Sequence, residues 1–362
     1  MATHPLVERS QSKEVRSAKG FREAAAALTG ETLAAELREE MAAAPRRADA
    51  GKKYLVAYNR RLAAERKPGR DSEHAALALV ARGEPLRLPG EVGFLQPVAA
   101  AVPLRSAPAD KARGPDDPNF GVGSVDLLGV GPDERLAVGT MRFLAPDARR
   151  VGTGETPLRA LLEGLVHLAV VEANRDVLAA ELEGRLEKPL APGMPVLLLV
   201  GSPRYWELCR KREAQKGAAW IREMERLAAE LEEHAGVQVL YLSLALEGDP
   251  SWTYEEGGPR LVGTPRLRPA WESGAGRIRP KPKPRTRRKS ATEPEDALVE
   301  PDLSRPVRPY AVTERYEPGD RIEHPTLGLG VVQGAAGPTK IRVLFDGRKS
   351  LLVHDRPPSG GA

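Results

Sequence analysis

One cysteine in 362 residues, Cys209, leaves the chain no intrachain disulfide. The six histidines are scattered and no CxxC pair is present, so nothing has the spacing of a zinc site. Aromatic residues make up only 4% of the chain. No uncharged stretch reaches membrane-spanning length, and the opening MATHPLVERSQSKE is polar with no apolar core behind it. These absences predict a soluble cytoplasmic protein in a reducing compartment, with no membrane partner. What the chain does have is charge: 55 Lys and Arg against 50 Asp and Glu. Its location matters more than its sum. Eight basic residues and no acid fall in RIRPKPKPRTRRKS, residues 277–290, so the remainder carries 47 basic against 50 acidic residues, a balance of −3. The alternating prolines there favour an extended strip on which Arg277, Arg279, Lys281, Lys283, Arg285, Arg287, Arg288 and Lys289 track phosphates without reading sequence. A solvated charge run with no ligand is the plainer alternative.

Periodicity divides the rest. Residues 1–50 form a helical or partly disordered arm, with Leu33, Leu37 and Met41 on one helical face. From residue 51 a folded domain runs to 262. A helix carrying Leu55, Tyr58 and Leu62 stops at Pro68-Gly69, and a second, capped by Asp71 or Ser72, ends at Gly83. Three strands follow, VGFLQPVAAAVPL, SVDLLGV and RLAVGTMRFL, the last two joined by the Gly-Pro-Asp-Glu turn at 131–134. Thr156 and Pro157 open a long apolar helix, PVLLLVG reads as a central strand, a helix carries Trp220, Met224, Leu227 and Leu231 on one side, and VQVLYLSLAL is a further strand. This order predicts a mixed α/β sheet. Residues 263–314 lose periodicity and read as a basic, proline-rich disordered linker. Residues 315–357 hold four short strands, with Asp346-Gly347 as a hairpin turn and Gly328 and Gly330 at a tight bend, as a small all-β barrel requires, and 358–362 are a tail.

The segment GSVDLLGVGPDERLAVGTMRF, in this order of elements, resembles the PD-(D/E)XK nucleases and implies a restriction-endonuclease-like core. In that family an Asp on one strand faces an acidic-x-Lys pair on the next, and a Glu from the preceding helix often completes a Mg²⁺ shell. Carried over, the Asp is Asp126, the helix Glu is Glu73, and the pair falls on Thr140 and Arg142. Thr140 supplies no carboxylate, and Arg142 stays protonated and cannot act as a base. The resemblance therefore implies a degenerate site with no cofactor, or Mg²⁺ on Asp126 and Glu73 if Glu134, Asp147, Glu155 or Glu163 replaces the missing ligand. Thr140→Glu with Arg142→Lys is then the pair expected to create cleavage. Each candidate also admits a purely structural reading, and His167 reads as a core histidine.

PGDRIEHPTLGLGVVQGAAGPTKIRVLFDG resembles the Tudor or SH3-like barrels of UvrD-type helicases and the polymerase-binding domain of CarD-type regulators. Gly319-Asp320, His324-Pro325 and Gly328-x-Gly330 carry the likeness, which implies docking onto a protein partner such as RNA polymerase. An aromatic cage for methyl-lysine needs more rings than Tyr316 and Phe345. Taken together, the sequence predicts a nucleic-acid-associated binding protein on a catalytically degenerate nuclease-like domain. An active Mg²⁺-dependent nuclease and a pure protein adaptor are the alternatives.

Overall fold

Where the hydrophobic period of the chain changes from helical to alternating, so does the backbone. The computed structural model describes residues 4–56, 69–183, 185–186, 188–212, 218–249, 251–255, 258–272 and 298–355. The chain divides into two compact units, residues 1–280 and 281–362. The first is mixed α/β and the second is a separate β-sheet unit. No helix among the described residues is long and apolar enough to cross a membrane.

The first unit opens with helices α1 (Pro5–Gln11), α2 (Lys13–Arg16), α3 (Phe21–Ala27) and α4 (Gly30–Ala43). Then come α5 (Asp71–Arg82), β1 (Leu86–Arg87), β2 (Phe94–Pro103), β3 (Ser124–Val130), β4 (Leu136–Arg142), α6 (Pro157–Ala173) and α7 (Arg175–Leu182). β5 (Val196–Gly201), α8 (Pro203–Arg212), α9 (Trp220–Ala235), β6 (Val239–Glu247), β7 (Trp252–Glu255), β8 (Gly258–Leu261) and β9 (Thr264–Pro269) complete it. Seven strands make one sheet in the order β1-β2-β3-β4-β5-β6-β9. β5 is parallel to both neighbours and buried at every residue, as its unbroken apolar run requires. One sheet face packs under α6, α9 and the opening helices, and the other under α5 and the β7–β8 hairpin.

Several expectations are corrected here. The first fifty residues are no accessory arm: Leu6, Phe21, Leu33 and Leu37 are in the core. The buried Glu40 carboxylate accepts from the Leu6 (2.8 Å) and Val7 (3.2 Å) amides and pairs with His4 at 2.7 Å. The helix expected from residue 51 is absent over 52–56, because the Glu181 carboxylate takes the Tyr54 and Leu55 amides; its remainder, 57–68, lies outside the described residues. Asp71 and Ser72 sit in the first turn of α5 instead of capping it. The linker boundaries also move inward. Residues 264–269 are β9, paired antiparallel with β6, and Trp271 beyond it packs on Trp206 (5.4 Å), Trp220 (5.5 Å) and Tyr241 (4.9 Å). An edge strand tolerates Pro265 and Pro269, which have no amide to offer a neighbour. Residues 298–313 belong to the second unit. Val299 pairs both ways with the Gln333 amide, and Arg305 reaches Asp320 at 2.8 Å. The eight basic residues of 277–289 lie outside the described residues.

The second unit is a five-stranded sheet, β10 (Arg308–Pro309), β11 (Arg321–His324), β12 (Gly328–Gly337), β13 (Lys340–Phe345) and β14 (Arg348–Val353), in that spatial order. The Tyr310 hydroxyl, beside β10, donates to the Val353 carbonyl of β14 at 2.7 Å and ties the two edges together. Tyr316, Ile322, Val332, Ile341, Val343 and Phe345 form its core. Asp346 and Gly347 have φ of 37° and 76° and make the expected two-residue turn. Gly330 is needed for space: a Cβ there would stand 2.4 Å from the Phe345 ring. Gly330→Ala is accordingly expected to cost about 2 kcal/mol and to lower the melting transition of this unit by roughly 10 °C. Calorimetry checks this, and a midpoint unchanged from wild type contradicts the close approach.

Candidate functional site

β3 and β4 are antiparallel neighbours whose ladder ends at the pair Leu127↔Gly139. One residue on, the Asp126 carboxylate takes the place of the missing strand and accepts the Met141 amide at 2.7 Å. Arg142, the last residue of β4, reaches over the start of α6. Its Nη1 donates to the Met141 carbonyl at 2.8 Å and lies 3.9 Å from the Asp126 carboxylate. Its Nε meets Glu155 at 2.7 Å, and its Nη2 pairs with Glu163. Arg159 bridges the same two acids, Glu155 at 2.9 Å and Glu163 at 2.8 Å. Arg159 and Glu163, four residues apart, share one face of α6, and Glu155, just ahead of the Thr156 cap, precedes Arg159 by the same spacing. Two guanidiniums and two carboxylates thus close into a ring beside Asp126.

A pocket of about 390 Å³ opens at this end of the sheet. Its walls include Asp126, Arg142 and Glu155 together with Arg70, Asp71 and Glu73 from the start of α5. The Ser72 hydroxyl fixes α5 to the end of β4 by accepting the Phe143 amide at 2.9 Å, and Glu73 lies 3.7 Å from Arg70. The structure therefore brings Glu73, Asp126 and Arg142 to one pocket, with Glu155 and Glu163 at Arg142. Thr140 is elsewhere: it is buried, lines no wall of this pocket, and faces α6 at Gly164, where an added Cβ would stand 3.0 Å from its hydroxyl. Glutamate at 140 places a carboxylate under α6 and not in the pocket, which corrects the expectation that Thr140→Glu with Arg142→Lys rebuilds a site. Glu134 pairs with Lys188 at 2.9 Å, away from the pocket, and Asp147 is not in its wall.

Burial pushes the Asp126 carboxyl up to about 6, against the pull of Arg142 and the Met141 amide and with the further push of Glu163 and Glu73. Burial, and then the Arg142 charge, hold His167 down to about 4, so it is neutral at pH 7. The Tyr205 phenol, in the pocket wall, is pushed well above its usual range by burial and stays a neutral group.

A divalent metal does not fit this donor set. The guanidinium of Arg142 already stands among Asp126, Glu155 and Glu163, and a second cation there would face it at short range. Among the described residues no group of three Asp, Glu, His or Cys side chains converges as a metal site needs. Arg159 and Tyr205 were not legible as site residues. The Glu155-x₃-Arg159-x₃-Glu163 spacing is the signal that points to the first, and nothing local points to the second.

The raised value of Asp126 fixes the sign of a pH effect. Its folded value lies above the ordinary 3.8, so the folded state binds the extra proton and stability falls as pH rises from about 4 to 6, then levels. Asp126→Asn, which keeps an acceptor for the Met141 amide, is expected to be more stable than wild type by about 1–3 kcal/mol at pH 8. The advantage shrinks to nothing near pH 4. Urea unfolding at a series of pH values reads this directly, and a constant difference across the window rules it out.

No family model matches the chain, and neither a curated protein nor a solved structure is significantly similar to it.

Proposed function

We propose that the chain is a nucleic-acid-associated binding protein whose α/β domain is built on a restriction-endonuclease-like plan and is catalytically silent. The observation that supports silence is Arg142. A strand-end guanidinium satisfies the carboxylates that a nuclease of this plan needs for its metal. Phosphate affinity is assigned to the basic run 277–290, because the pocket itself has four acids, Asp71, Glu73, Asp126 and Glu155, against two arginines. The C-terminal unit, similar in plan to Tudor and SH3-like barrels, is assigned the docking of a protein, with RNA polymerase the partner class that the resemblance implies. Incubated with Mg²⁺ and supercoiled or linear DNA, the wild-type protein is expected to leave both intact. Cleavage that requires Mg²⁺ and is lost in Asp126→Ala overturns this reading in favour of an active nuclease.

The acid excess of the pocket also supports a second reading, a protein adaptor that does not touch nucleic acid. Retention on DNA at low salt separates the two: the adaptor shows none.

A further inference from the structure

We propose that the outer face of strands β12, β13 and β14 in the second unit is a docking surface for an acidic amphipathic helix of a partner protein. The proposal rests on the reading of this unit as a protein-docking module and adds to it the face that docks and the chemistry it selects.

Register fixes which side chains share that face. Val332, Ile341, Val343 and Phe345 turn into the core of the unit, so their neighbours along the strands turn outward. Cross-strand pairing then sets Arg321, Val331, Leu344 and Lys349 in one row and Arg342 with Leu351 in the next. Leu329, two residues before Val331 on β12, faces the same way. Leu329 is 58% exposed and Leu351 64% exposed, and Val331 and Leu344 are half-buried. A cluster of exposed apolar side chains marks an interaction site, and an aliphatic stripe across a sheet is the surface that a helix covers in a layered domain. Neighbouring strands lie about 4.8 Å apart, so a stripe over three of them spans about 10 Å, close to two turns of α-helix. Anchors at i, i+4 and i+7 match that length. The charge around the stripe selects the partner. Lys340, Arg342 and Lys349 are exposed and Arg321 is half-buried, against Glu323 on β11 and Asp346 in the turn. A second copy of this face would set bases against bases, which disfavours self-association. Nucleic acid is disfavoured as well, because none of these outward side chains is aromatic and a base has no ring on which to stack. Acidic residues flanking aliphatic anchors complement both the stripe and its charge.

Fluorescence anisotropy of three labelled synthetic peptides, titrated with the full-length protein, tests this. The first is a helical peptide with Leu at i, i+4 and i+7 flanked by Glu, the second has Gln for each Glu, and the third has Ser for each Leu. The first is expected to bind, and the other two about tenfold more weakly or less. Leu351→Ser is expected to weaken binding of the first peptide about tenfold, the loss of one buried leucine anchor. Lys349→Glu is expected to weaken it about threefold to tenfold at low salt, with the difference shrinking as salt rises. Both side chains are exposed, so these substitutions leave the fold of the unit in place. Purified bacterial RNA polymerase, titrated in parallel, separates this proposal from the reading it rests on. Polymerase binding without peptide binding keeps the docking reading and overturns the face. Peptide binding without polymerase binding removes the polymerase assignment and leaves the face standing. The proposal is also overturned if the Gln or the Ser peptide binds as well as the first, if neither variant weakens the first peptide, or if the variants weaken binding of a DNA duplex instead.

Discussion

Replacing Arg142 with methionine is expected to destabilise the first unit by about 3–5 kcal/mol, the cost of leaving buried charge uncompensated. For a unit of this size that lowers the melting midpoint by roughly 10 °C. The side chain is the only described one that touches Asp126, Glu155 and Glu163 together. Without it Arg159 must neutralise two carboxylates alone, and Asp126 loses the one charge that holds its proton affinity down. Methionine keeps the length and the apolar stem, so the loss reports charge and not volume. Adding Glu155→Gln to Arg142→Met is expected to recover most of the loss, because Arg159 then pairs with Glu163 and the ring contains no unpaired charge. Calorimetry on wild type, Arg142→Met, Glu155→Gln and the double variant measures the coupling as a double-mutant cycle. A single Arg142→Met variant within 1 kcal/mol of wild type would falsify the guanidinium's role in closing the cluster.

Deleting 277–290 is expected to reduce affinity for duplex DNA more than tenfold at low salt and to flatten its salt dependence. The segment holds eight of the chain's 55 basic residues. Each phosphate neutralised adds about −0.9 to the slope of log affinity against log salt, so engagement of about half the segment gives a slope near −4 that the deletion removes. Fluorescence anisotropy with unrelated duplexes, at several salt concentrations, reads both quantities. Sequence preference is not expected, since a run of arginine and lysine attracted by charge alone contacts phosphates and not base edges. Unchanged affinity and slope after the deletion reduce the segment to a tether and move the balance to the adaptor reading.

Much of the first unit was written in local periodicity. β2, β3, β4, β5 and β6 fall where alternation or an unbroken apolar run puts them, and α6 begins at the Thr156-Pro157 signal. In the second unit the Asp346-Gly347 turn and the close approach at Gly330 are equally local, because each depends on a backbone that only certain residues permit. β9 escaped because Pro265, Pro269 and the arginines between them resemble a linker, and only its place at the sheet edge makes them acceptable. The opening helices escaped for a different reason: what buries Leu33 and Leu37 is α6 and α9, more than a hundred residues away.

By itself the sequence determined which residues bear charge, where the strands lie, and that Glu73, Asp126 and Arg142 were worth placing in one site. Period 2 also put Thr140 and Arg142 on the same side of β4, and there it stopped short. Only the tertiary structure decided that the short Thr140 side chain ends beneath Gly164 of α6 while the long Arg142 side chain clears the strand end and finds Glu155 and Glu163. Side-chain direction follows from local backbone geometry, but what lies within reach depends on where a helix that starts fifteen residues later is packed. The charge balance of the pocket is set by that packing.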